Sequence, residues 1–100
     1  MIKNMQTKLR TQIVKVIGKK EIDDKANFLS IHLEEIREEA GNISLLIEKI
    51  TKEKISANKL HYILIEIKVR GSHLKDHLTE FIKPNEQILV ELDKIIYPKK

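Results

Sequence analysis

Leu60-His61-Tyr62-Ile63-Leu64-Ile65-Glu66-Ile67-Lys68-Val69 admits two local structures, and the choice between them sets the fold class. Read as a strand, Ile63, Ile65, Ile67 and Val69 alternate with Leu64, Glu66 and Lys68, as on a half-buried sheet face. No second run of this quality is present for it to pair with. Read as a helix of 3.6 residues per turn, Leu60, Ile63, Leu64 and Ile67 share one face, and Tyr62, Ile65 and Val69 share the opposite one. A helix that is apolar on two faces asks for two partners. The first is packing within the chain. The second is a surface for another molecule.

Working outward, the helical reading gains support on both sides. Ile22, Ala26, Leu29, Leu33, Ile36, Ala40, Ile43, Ile47 and Ile50 keep an unbroken four/three spacing, a coiled-coil-like seam from about 22 to 53. Gly41 lies inside it, but a helical glycine costs only about 1 kcal/mol and the phase is not reset. One continuous helix is therefore expected. Ser56 is positioned to cap the next helix, whose matching seam is Ala57, Leu60, Leu64, Ile67, Gly71, Leu74, Leu78 and Phe81. Pro84 disfavours helix at Lys83, so this third helix is expected to end there. A fourth would begin at Pro84 with Ile88, Leu89, Leu92, Ile95 and Ile96 as its apolar face. At the start of the chain, Ile2, Met5, Leu9, Ile13 and Val16 form an amphipathic helix over 3–17. Gly18 is placed to close that helix in a left-handed conformation, and Asp23 or Asp24 to cap the second.

The expected fold is all-α: an antiparallel helical bundle of four helices, built on a long helical hairpin with two shorter flanking helices. Residues 1–97 form one domain and 98–100 a disordered tail. The hairpin helices would be about 48 and 39 Å long, and the flanking ones about 24 and 21 Å. Both short helices would turn back at the same end of the hairpin, leaving its tip, roughly 43–69, uncovered.

Composition narrows the function. The chain has 100 residues, 41% of them hydrophobic and 34% charged, with three glycines and two prolines, which fits one small helical domain. The absence of cysteine excludes disulfides, thiolate metal sites and cysteine nucleophiles. No apolar run approaches the ~18 residues of a membrane span, and the N-terminus lacks a signal-peptide core, so a cytoplasmic location is expected. The net charge of +4 is distributed unevenly, as six bases and no acid in 1–20, a net −5 in 21–53, +3 in 54–83 and zero in 84–100. Adjacent antiparallel helices of alternating sign attract one another. The basic first helix also suits nucleic-acid phosphates or an anionic membrane surface. Four aromatics, none of them Trp, give base stacking little to work with, however.

Three constellations bear on chemistry. His73, His77 and Glu80 share a helix face at spacings able to hold a divalent ion. They flank the seam residues Gly71, Leu74 and Leu78 and read as a solvated edge, so no metal or cofactor is expected. Arg70-Gly71-Ser72-His73-Leu74-Lys75-Asp76-His77 resembles the Arg-x4–6-His motif of HEPN-type helical ribonucleases. That resemblance implies a metal-independent ribonuclease in which Arg70 and His77 act together on the scissile phosphate and on proton transfer. His73-Leu74-Lys75-Asp76-His77-Leu78 is similar to the His-x-x-Asp-His-Leu segment of lactose-type phosphotransfer carriers, which are trimeric helical bundles. It implies His73 as phospho-acceptor and Asp76 as a metal ligand. The helices from Ser56 to Ile96 and the lysine-bearing tail also look like those of class II bacteriocin immunity proteins, small basic four-helix bundles.

The long apolar pattern outweighs these short matches. The sequence is read as a non-catalytic protein–protein interaction module (adaptor, inhibitor or regulator), acting as a homodimer through the hairpin tip. Leu45, Leu46, Tyr62, Ile65 and Val69 are the expected partner-binding residues.

Overall fold

The computed structural model describes residues 2–52 and 54–98, with side chains from Met5 onward. Met1, Glu53, Lys99 and Lys100 lie outside the described residues, and with them the last two positions of the expected tail. The described residues are all-α, without strands: α1 (Ile2–Ile17), a 3-10 turn (Lys20–Ile22), α2 (Asp23–Lys52) and α3 (Ala57–Ile96). Leu60–Val69 is helical throughout. α2 and α3 form an antiparallel hairpin, and α1 packs mainly on α2.

The expectation of four helices is corrected to three. α3 runs 40 residues from Ala57 to Ile96, with Pro84 in its interior. A proline inside a helix lacks one hydrogen-bond donor and crowds the preceding turn, at about 3 kcal/mol. The break that Pro84 was expected to impose would separate Phe81 from Ile88 and Leu92, three residues of one core cluster. Pro84 is itself buried. Burial on both sides of the proline outweighs the local preference, and the helix continues. The second short helix therefore does not exist as a separate element, and α1 alone flanks the hairpin.

The other local signals are realised in place. Gly18 takes φ 74° and its N–H donates to Val14 O at 2.8 Å, closing α1. α2 passes through Gly41 unbroken. Ser56 caps α3, its hydroxyl accepting from Lys59 N at 3.1 Å. Asp23 differs from expectation. It is the first helical residue of α2, after the 3-10 turn, and its carboxylate takes two hydrogen bonds from Arg10, at 2.8 and 2.5 Å.

The core sits at one end. Ile17, Ile22, Leu29 and Ile88 are buried together, with Ile13, Val14, Leu33, Phe81 and Leu92 against them. Among the described residues from 40 to 75, only Ile63 is buried. Oppositely charged side chains meet across the helices: Arg10–Asp23 joins α1 to α2, Arg70–Glu39 joins α3 to α2, and Lys19–Glu91 joins the first connection to the net-neutral last part of α3. The molecule is 60 Å long, matching the ~60 Å of a straight 40-residue helix.

Two predictions come from this arrangement. Pro84→Ala should keep the helix and stabilise the protein by about 1–2 kcal/mol, the regained propensity exceeding the lost packing. Thermal denaturation followed by circular dichroism reads this as a rise of several degrees. The Arg10 hydrogen bonds hold the Asp23 carboxyl below its usual range. Its contribution is therefore complete above the unfolded value of about 3.9 and is lost as pH falls through the lower folded value. Asp23→Asn should flatten that acid limb in melts recorded across the acidic range.

Candidate functional site

Exposed large apolar side chains occur along the whole hairpin, Leu78, Ile82, Leu89, Val90, Ile95, Ile96 and Tyr97 among them, and two of its regions hold the residues that the sequence singles out. The first is the end remote from α1. Here α2 and α3 face each other without a third layer, so each helix buries one side and leaves the others in solvent. Leu45 is 59% exposed, Tyr62 63%, Ile65 46% and Val69 49%, while Leu46 is half-buried. Ile47 and Leu64 are also exposed. Leu45, Leu46 and Tyr62 line one open groove between the helices, together with Lys49, Glu66 and Arg70. Ile65 and Val69 do not line that groove. They follow Tyr62 along α3 at spacings of three and four.

The second region is a polar flank of the hairpin nearer the core, which meets the first at Arg70. In antiparallel register it brings His32, Glu35 and Glu39 of α2 against His77, His73 and Arg70 of α3. Arg70 bonds Glu39 at 3.3 Å and lies 3.8 Å from Glu66 one turn back on its own helix. His73 Nδ1 stands 3.7 Å from the second oxygen of Glu39. His77 has Nδ1 3.0 Å from Nδ1 of His32 and Nε2 3.9 Å from Glu35. His32 is buried, and the ring of Phe28 meets it edge-on at 4.6 Å between centroids. Burial first, and the neighbouring His77 second, push the His32 imidazole below its ordinary value, against the opposing pull of Glu80 and Glu35.

This geometry regroups the residues that the sequence singled out. His73 and His77, one turn apart on α3, each face a different residue of α2 rather than forming a pair. Arg70 and His77 lie on the same flank, but each is engaged by α2: Arg70 by Glu39, His77 by His32 and Glu35. His32 was missed because it belongs to no motif on its own helix. Its signal lies in the pairing of two helices, which places residue 32 opposite residue 77. Glu34 is buried and Arg37 donates to one of its oxygens at 3.4 Å, while the other has no partner among the described residues. Among the described residues, no three His, Asp or Glu side chains are grouped so as to hold a metal ion, and no helix is long and apolar enough to cross a membrane. In α1, the apolar residues Ile13, Val14 and Ile17 are turned into the core.

Comparison with protein-family models, with curated proteins and with solved structures finds no match to this chain.

The Arg70–Glu39 pair is partly exposed, with the Arg70 side chain 36% accessible. A double-mutant cycle on Arg70→Ala and Glu39→Ala, measured by urea denaturation, should return a coupling of about 0.5–1 kcal/mol.

Proposed function

We propose that this protein is a non-catalytic helical interaction module that docks through the α1-remote half of its hairpin, with a second copy of the chain as the occupant. As an adaptor, inhibitor or regulator in the cytoplasm, it would work by presenting or withholding that face. The observation that carries the reading is the exposure of Leu45, Tyr62, Ile65 and Val69 together at that end. Apolar side chains scattered singly over a surface need no explanation, whereas a contiguous group marks a contact.

Surface area supports a second copy as the occupant. The chain exposes 7707 Å², whereas a compact monomer of 11.7 kDa exposes about 5,900 Å². If each copy covered the difference of roughly 1,800 Å², the dimer interface would fall within the 2,000–5,000 Å² total of permanent homodimers. A C2 contact also suits a groove whose lining carries both signs of charge, Lys49, Lys52 and Arg70 with Glu48 and Glu66, since each sign can meet its opposite on the second copy.

Light scattering after size exclusion, at two protein concentrations, tests this. The wild type should be a dimer, and a Tyr62→Lys, Ile65→Lys double mutant should be a folded monomer. A wild type that stays monomeric at both concentrations overturns the proposal. So does an RNase or phosphotransfer activity that disappears in His73→Ala or His77→Ala with the fold intact.

A further inference from the structure

His32 and His77 reach each other from different helices, and the nitrogens that face are both Nδ1, 3.0 Å apart. Two imidazole nitrogens bound to one ion at about 2.0–2.1 Å, at right to tetrahedral angles, are separated by roughly 2.9–3.4 Å. The spacing found between the two rings lies inside that window. We propose that His32 and His77 form an interhelical two-histidine site for a divalent transition-metal ion such as Zn²⁺, with water completing the coordination shell.

The surroundings favour this use of the pair. His32 is buried and set by the edge of Phe28, so one ligand is held before any ion arrives. The His77 side chain is 27% exposed, which leaves the other ligand open to solvent and gives the ion a way in. The Glu35 carboxylate stands 3.9 Å from His77 Nε2. A negative charge beside the outer nitrogen favours the tautomer with its proton there, so that in the ion-free protein His77 Nδ1 accepts a hydrogen bond from His32 Nδ1, and the entering ion would displace that proton to His32 Nε2 or to solvent. Carboxylates orient metal-binding histidines in the same way. Glu35 and Glu80 both act on His32 electrostatically and favour positive charge at this position. The guanidinium of Arg70 on this flank is held by Glu39 and Glu66. Imidazole nitrogen suits Zn²⁺, Ni²⁺ and Cu²⁺, whereas hard cations such as Mg²⁺ and Ca²⁺ prefer oxygen.

The protein supplies two ligands and no third, consistent with the absence of a larger His/Asp/Glu group among the described residues. The ion would therefore bind reversibly and keep exchangeable water. Its structural effect would be a cross-link between α2 and α3, since an ion that binds only the folded hairpin stabilises it by an amount that grows with the logarithm of its concentration above Kd. Reading α3 alone pairs His77 with His73; the structure pairs it with His32 instead. The site stands independently of the docking face proposed above.

Isothermal titration of the full chain with Zn²⁺ at neutral pH, after treatment with a chelator, is the test, alongside thermal melts with and without the ion. The wild type should take one Zn²⁺ per chain and melt higher in its presence. His32→Gln and His77→Gln should each weaken binding at least tenfold and abolish the thermal shift, and His73→Gln should do neither. Glu35→Gln, which removes the orienting charge and no ligand, should weaken binding about tenfold. No uptake by the wild type at millimolar Zn²⁺ overturns the proposal. So does binding that survives His32→Gln, which would move the ion to His73 and His77 or elsewhere. If His32→Gln fails to fold, the two positions on α3 decide. Loss in His77→Gln with retention in His73→Gln upholds the interhelical site, and any other pattern sinks it.

Discussion

A 16-residue helix is laid against a hairpin whose arms run 30 and 40 residues, and most features of the structure follow from that mismatch in length. α1 ends where Gly18 reverses the chain, so it can lie only beside the first turns of α2 and near the last turns of α3. Three layers meet there, and the buried cluster of Ile17, Ile22, Leu29 and Ile88 forms where they meet. Toward the other end the hairpin is two helices thick. Two helices in contact bury one stripe each, so Ile63 goes inside while Tyr62, Leu64 and Ile65 on either side of it stay in solvent.

The contact between α2 and α3 is itself divided. One part is the leucine and isoleucine seam, which is permissive because apolar side chains of similar size tolerate shifts along the helix. The other part is the flank of Glu35, Glu39, Arg70, His73 and His77, with His32 at its inner margin. Charged and hydrogen-bonding groups on facing helices satisfy each other only at one offset, so they specify register more than they add stability. The long seam brings the helices together, and the flank fixes which turn of one lies against which turn of the other.

Much of this was legible in the sequence. The seam from Ile22 to Ile50 is readable from its spacing, and its unbroken phase carries the helix through Gly41, although Ala40 and Ile47 end in solvent. Gly18 and Ser56 were readable because a left-handed closure and a hydroxyl cap are local devices. Pro84 was not. The local rule says a helix stops before proline, and only the packing of Phe81, Ile88 and Leu92 into one cluster reverses it. The uncovered hairpin end was inferred from helix lengths with one helix too many. It survives the correction because the lost helix was never placed there. Asp23 and Asp24 both read as caps because a carboxylate before an apolar run ordinarily is one. The partner of Asp23, Arg10, lies on another helix, beyond the reach of a rule confined to neighbours in sequence. His32 escaped for the same reason, since no pattern on α2 marks it.

Crowding the buried side chains at one end has a consequence for how the molecule comes apart. Local opening costs free energy in proportion to the contacts it breaks, so a structure with an uneven core opens in stages rather than all at once. The turns around Ala26–Leu33 and Phe81–Ile88 can exchange their amide hydrogens only when the whole chain unfolds. The turns around Leu45 and Tyr62 need break only one helix-to-helix contact. The half of the hairpin that carries the proposed docking face is thus also the half whose backbone opens most cheaply. A molecule bound there would slow hydrogen exchange at residues it does not touch, by holding closed the turns between itself and the core.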